Sequence, residues 1–184
     1  DEVDQGIGRF TNLLELQLSA NRLTELPPVL GSLPRFHRIM YEDNMLESPP
    51  QSIQNKGSDA VIAYLKRLWE GCQTGYLDLS GLELTGFPSE VLKITNLTYL
   101  NLDHNGIDKV PEGIGALCDL KTLSMADNAI SLLPAGMGRM TALENLNLSE
   151  NSLIAIPTQL GDCRKLTALN VERNRELKTP PKDI

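Results

Sequence analysis

The chain has 184 residues, of which 41% are hydrophobic and 22% charged, with a formal net charge of −7 and an isoelectric point near 4.9. That length allows one or two domains with a buried core, and the negative charge argues against a general role on phosphate backbones or anionic lipid headgroups. Only 4% of residues are aromatic, so one recurring aliphatic shape has to fill the core, as in an internally repeated chain.

From the N-terminus, the stretches Leu13 to Leu23 and Phe36 to Leu46 share one pattern, Leu-x-x-Leu-x-Leu-x-x-Asn-x-Leu. Three more copies, from Leu97 to Ile107, Leu120 to Ile130 and Leu143 to Leu153, step by 23 residues. A sixth, Thr74 to Leu84, carries Leu82 where the asparagine belongs, and a seventh from Leu166 keeps Asn174. The second half of each unit is equally regular: Leu26-Pro27, Phe87-Pro88, Val110-Pro111, Leu133-Pro134 and Ile156-Pro157, with Gly-Ile-Gly at 113–115 reading as a turn. Alternate side chains of a short strand face opposite ways, so Leu100 and Leu102 are predicted inside while Asn101 and Asp103 face out. No single repeat buries its own apolar edge, so stability is expected from stacking neighbours.

Residues 47–73 break this rhythm. Ser58 to Trp69 reads as a helix, with Ser58 as N-cap, Asp59 at the positive end of the dipole and Gly71 as the stop. Val61, Ile62, Tyr64, Leu65, Leu68 and Trp69 form an apolar face opposite Lys66 and Arg67, which predicts packing on the repeats rather than on a membrane. The expected organisation is a first repeat block at 1–53, an inserted helix and linker at 54–73, and a second block at 74–184. Leu177 to Ile184 echoes Leu46 to Ile53 at an offset of 131, which is not a multiple of 23. A larger unit of five repeats plus one helical segment fits that offset, and the chain reads as an internal fragment of a longer array.

These residues resemble the leucine-rich repeat family over nearly the whole chain, in particular the 23-residue intracellular type with a Leu-Pro-x-x-Ile-Gly-x-Leu tail seen in Ras-group and Roco-like proteins. The stretch holding Pro49, Pro50, Ile53, Gly57, Ala60, Tyr64 and Leu65 is similar to the segment that ends repeat blocks in Roco-type proteins. The resemblance implies an α/β leucine-rich repeat solenoid, curved, with short parallel strands on its concave face and one amphipathic helix interrupting it. It also implies that Asn21, Asn44, Asn105, Asn128, Asn151 and Asn174 bond backbone groups between coils, with Leu82 breaking that ladder and loosening the coil there.

Catalysis needs converging reactive groups, and none converge in this sequence. His37 and His104 lie three strands apart without a partnering nucleophile, and there is no phosphate loop. Glu42, Asp43 and Asn44 lack calcium-loop spacing. No catalytic residue, cofactor or metal is therefore expected, and no run is apolar enough to span a bilayer.

Cys72, Cys118 and Cys163 are scattered, which predicts reduced, mostly buried thiols and a cytoplasmic protein. The sequons Asn96-Leu97-Thr98 and Asn147-Leu148-Ser149 read as products of the repeat consensus.

The expected function is a non-catalytic protein–protein interaction module, an intracellular scaffold or adaptor. The alternatives are the recognition arm of a multidomain GTPase or kinase, and a structural subunit of a large assembly. Outward strand positions carry Glu15, Glu42, Asp43, Asp78, Asp103, Asp127, Glu144, Glu150 and Glu172 against Arg38, Lys121 and Arg173, which favours a basic-surfaced partner. The resemblance adds small-GTPase signalling. The candidate binding residues are Tyr76, Asp78, Tyr99, Asn101, Asp103, His104, Lys121 and Asp127, with the two tyrosines as anchors.

Overall fold

The computed structural model describes residues 3–178, so the part of the 131-residue echo from Thr179 to Ile184 lies outside the described residues. The chain forms two units, Asp1–Gln73 and Thr74–Ile184.

In the first unit, β1 (Glu15–Gln17) and β2 (Arg38–Met40) pair in parallel, Glu15 opposite Arg38. A short helix α1 (Gln51–Gln54) and the longer α2 (Ser58–Thr74) follow. In the second unit, β3 (Tyr76–Asp78), β4 (Tyr99–Asn101), β5 (Thr122–Ser124), β6 (Asn145–Asn147) and β7 (Ala168–Asn170) form one parallel sheet in chain order. Tyr76, Tyr99, Thr122, Asn145 and Ala168 stand in register, each 23 residues from the last, so the spacing of the sequence is the spacing of the coils.

Five coils return through a 3₁₀ turn that begins just after a recurring apolar-Pro pair, at Pro27, Pro88, Pro111, Pro134 and Pro157, whereas the first such turn, Gln5–Arg9, follows Asp4. Proline holds its own φ near −70°, as at Pro111 (−73°) and Pro157 (−67°), and its carbonyl accepts the first N–H of the turn, as in Ile114 to Pro111 at 3.0 Å. Inward leucines fill the core: Leu77, Leu100, Leu102, Leu123 and Leu148 are fully buried, whereas Asn101 and Asp103 are only half-buried, as the alternation requires. Gly115 belongs to this packing rather than to an isolated turn. A Cβ there would sit 2.3 Å from the Gly136 carbonyl of the next coil.

Five of the six asparagines form the expected ladder: Asn128 accepts the Ile107 N–H at 3.0 Å and donates to the Leu102, Met125 and Ala126 carbonyls, and Asn44, Asn105, Asn151 and Asn174 bond in the same way in their own coils. Asn21 departs from the expectation, donating among the described residues only to the Leu18 and Ser19 carbonyls of its own coil. At Leu82 the gap is bridged from the other side. Asn105 Oδ1 accepts both the Leu82 and Leu84 N–H groups, at 3.1 and 3.0 Å, while the chain turns through positive φ at Gly81 (65°) and Glu83 (59°). Elsewhere the residue before each asparagine takes that left-handed conformation, for instance His104 at 56° and Asp127 at 51°.

The inserted helix differs from its predicted form at both ends. It runs through Gly71 to Thr74 and stops at Gly75, whose φ of 71° ends it; Gly71 is buried inside it. A single glycine costs a helix only about 1 kcal/mol, which the buried Val61, Tyr64, Leu65 and Leu68 face outweighs. Ser58 is the first residue of the helix rather than its N-cap, since the Gly57 carbonyl accepts the Val61 N–H, and its Oγ instead accepts the Ile39 N–H of β2 at 2.8 Å. Close approach is possible because Gly31 faces the helix: a Cβ would lie 2.3 Å from the Lys66 nitrogen.

Candidate functional site

The second unit presents two columns of outward strand side chains. One is Tyr76, Tyr99, Thr122, Asn145 and Ala168; the other is Asp78, Asn101, Ser124, Asn147 and Asn170. The parallel register places Tyr76 beside Tyr99, and their rings stack at 4.2 Å between centroids with 5° between planes. Tyr76 is 52% exposed, which is rare for so large a ring among polar neighbours. Burial, the side-chain hydrogen bond with Tyr76, and the charges of Asp78 and Asp103 push the Tyr99 hydroxyl up to about 12.

The second column closes the strand ends. Asp78, Asn101, Asn147 and Asn170 each use Oδ1 to accept the N–H two residues on, at 2.9 to 3.2 Å. Ser124 is too short for that role, and Asp103 reaches across from the preceding coil instead. Its Oδ1 accepts the Ser124 hydroxyl at 2.7 Å and the Ala126 N–H at 2.6 Å. Asp78, Asn101 and Asp103 therefore hold backbone as well as facing solvent.

The eight residues singled out from the sequence fall in three places. Tyr76, Asp78, Tyr99, Asn101 and Asp103 share β3, β4 and the residues just beyond them. His104 and Asp127 lie past the strand ends and engage each other, Nδ1 to Oδ2 at 2.8 Å, which raises the His104 pKa above its ordinary 6.5. Lys121 precedes β5, its N–H donated to the Thr98 carbonyl at 2.9 Å and its side chain exposed. The other histidine, His37, lies 3.9 Å from Glu15 on the first unit.

Sequence reasoning missed a shallow hollow of about 600 Å³ lined by Tyr99, Thr122, Ser124, Asn145, Asn147 and Ala168, with Leu123, Leu146 and Leu169 also contributing. The repeat frame marks these positions as outward, but only register shows them meeting beside an aromatic wall. A second hollow, of about 640 Å³, follows the asparagine edge past Asp127, Glu150 and Arg173, where Arg173 and Glu150 already pair at 2.7 Å. Among the described residues no group of three His, Cys, Asp or Glu side chains could hold a metal, and no helix is long and apolar enough to cross a membrane.

Stacked coils with a parallel sheet on one side define a leucine-rich repeat solenoid, a fold that serves generally as a protein–protein interaction module. The chain belongs to the leucine-rich repeat family: the model of the leucine-rich repeat region matches residues 55–182, and that of the single leucine rich repeat matches 12–33. It is 36% identical over 100 residues to podocan-like protein 1 of Mus musculus, covering 54% of this chain and 15% of that protein. The human protein is 32% identical over 99 residues, covering 54% and 17%. The matched stretch is thus well under a fifth of those relatives.

Among solved structures, a leucine-rich repeat protein of Leptospira interrogans superposes with a TM-score of 0.54 at 28% identity, covering 93% of this chain and 40% of that one. The plant peptide hormone receptor RGFR1, in complex with RGF2, gives 0.55 at 26% identity, covering 94% and 26%.

These comparisons correct the cytoplasmic placement read from the cysteines: the relatives are podocan-like proteins and one neighbour of similar fold is a plant peptide hormone receptor, which does not support a cytoplasmic chain. Scattered thiols reported only that asparagine ladders and aliphatic packing close these coils without disulfides, which is mute about compartment. Nor are the thiols mostly buried: none of the three forms a disulfide, but Cys118 is exposed, Cys72 half-buried and only Cys163 buried.

Proposed function

We propose that the outward sheet face of the second unit binds an extended segment of a partner protein, and that the chain acts as a non-catalytic recognition or scaffold segment. The observation that carries this reading is the stacked Tyr76–Tyr99 pair, half-exposed on an otherwise polar sheet and flanked by Asp78 and Asp103. Tyrosine offers apolar area with little rotameric entropy to lose, which suits an anchor at an interface. The carboxylates favour a basic surface on the partner and speed its approach. Asn101 extends the same face, while His104, Asp127 and Lys121 border it. That RGFR1, a peptide hormone receptor of similar fold, forms a complex with RGF2 supports a peptide-sized partner.

The test is selection of peptides from a random displayed library on the full chain, followed by kinetics on variants. Tyr99→Ala is expected to speed dissociation and cost roughly 1–3 kcal/mol. Asp103→Asn keeps the Oδ1 acceptor but removes the charge, so it should slow association by an amount that shrinks as salt rises. Selected peptides whose binding ignores both changes refute the reading.

A further inference from the structure

The docking face does not present the two faces of its aromatic pair equally. One face of the Tyr99 ring is covered by Tyr76, at 4.2 Å. Its other side belongs to the hollow that runs over Thr122 towards Asn145 and Ala168, on the neighbouring strands of the same sheet. Its walls combine the Tyr99 ring, hydroxyls and amides with aliphatic surface from Leu123, Leu146 and Leu169, with neither a lysine nor an arginine among them.

Two carboxylates bear on this face, with Lys121 bordering it. Asp103 reaches the hollow through Ser124, and both of its hydrogen bonds there are made by Oδ1, to the Ser124 hydroxyl and the Ala126 N–H. Asp78 stands next to Asn101 in the register, at the foot of the tyrosine pair. Burial and the Tyr76 hydroxyl push the Tyr99 hydroxyl up first, and the charges of Asp78 and Asp103 add to that push. The Asp127–Arg173 edge is different, because Arg173 and Glu150 neutralise each other.

We propose that the hollow beside Tyr99 is a guanidinium site, which takes one arginine side chain of the bound polypeptide flat against the outer face of the Tyr99 ring, with Asp103 and Asp78 as its countercharge. This rests on the reading of the sheet as the docking face and names the chemistry it selects. A planar, weakly hydrated cation gains both from the negative face of the ring and from carboxylates alongside it. An acidic side chain would meet two like charges, and an aliphatic one would fill the hollow without answering the carboxylates. Lysine keeps the charge but loses the flat contact, so it binds more weakly than arginine.

The experiment uses the full chain, isotopically labelled, and four short blocked peptides that differ at one central residue: arginine, citrulline, lysine or glutamate. Citrulline has nearly the shape of arginine without its charge. Arginine is expected to shift the backbone amides of Tyr99, Thr122, Ser124 and Asn145, with citrulline about tenfold weaker, lysine between them, and no shifts from glutamate. Asp78→Asn with Asp103→Asn should remove most of the arginine preference over citrulline while leaving the spectrum folded. Tyr99→Leu should weaken arginine more than lysine, whereas Lys121→Gln should not weaken either.

Equal shifts from arginine and citrulline, or arginine shifts centred away from β4 to β6, overturn the proposal. Failure of the underlying docking face looks different. Library peptides that map to the sheet without arginine sink the guanidinium site alone, and peptides that map elsewhere sink both.

Discussion

Truncating one rung of the asparagine ladder, Asn151→Ala, gives a penalty that follows from the shared bonds around it. Asn151 is 7% exposed; its Oδ1 accepts the Ile130 N–H at 3.0 Å, and its Nδ2 donates to the Met125, Leu148 and Ser149 carbonyls. Those three acceptors have other donors. Met125 O keeps Asn128 Nδ2 at 3.2 Å, Leu148 O keeps Asn174 Nδ2 at 2.9 Å, and Ser149 O keeps the Asp127 N–H at 3.0 Å. Only the Ile130 N–H, on a fully buried residue, loses the partner described here. An orphaned buried donor costs about 1–3 kcal/mol, and the weakened shared bonds add to it, so a total of roughly 2–4 kcal/mol is expected. Asn21 supplies the control. It is exposed, donates to the Leu18 and Ser19 carbonyls, and shares Leu18 with Asn44, so Asn21→Ala should cost under about 1 kcal/mol. Urea unfolding measures the difference, and hydrogen exchange at the Ile130 amide localises it. Equal losses at the two positions, or an unchanged Ile130 exchange rate in Asn151→Ala, would refute the idea that shared acceptors limit the damage to one donor.

Leu123→Asp puts a charge at a fully buried position of β5 and should unfold neighbouring coils, at a cost of several kcal/mol; circular dichroism and melting identical to the parent would show the inward register is wrong. Asp78→Asn should leave the melting temperature nearly unchanged, because Asn101, Asn147 and Asn170 perform the same strand-end role with an amide; a clear drop would assign the carboxylate a structural task of its own. His104 should titrate above 6.5, chiefly through its hydrogen bond with Asp127, and move down in Asp127→Asn, where only the charges of Asp103 and Glu150 still raise it. Its folded pKa is raised, so the pair's stabilisation is fully present below pH 6.5 and lost as pH climbs through the higher folded value, which proton resonances of the ring will report. Tyr99 should ionise near 12 rather than 10, so its contribution is intact below pH 10 and fades between 10 and about 12; ultraviolet titration of Tyr76→Phe should show a smaller rise.

The repeat length, the inward leucines and the asparagine ladder were all legible in the sequence, because each is local or repeats at a fixed spacing. A leucine every second position in a three-residue strand can face only one core, and an asparagine with the same flanking carbonyls in every coil meets the same partners. The inserted helix was legible in position but not in extent, since Gly71 stops a helix only where burial of its neighbours does not outweigh its entropy. The candidate site was half legible. A repeat frame says which residues point outward and so found Tyr76, Tyr99, Asp78 and Asp103. It does not say that Ser124 lacks the reach of its column and draws Asp103 across to the next coil, or that His104 and Asp127 spend their charges on each other. Those outcomes depend on distances between residues 21 to 23 positions apart, which the stacking of coils sets and no single repeat contains. The hollow beside Tyr99 is of the same kind: its walls come from four successive strands, and only their parallel register makes it a place where a side chain can sit.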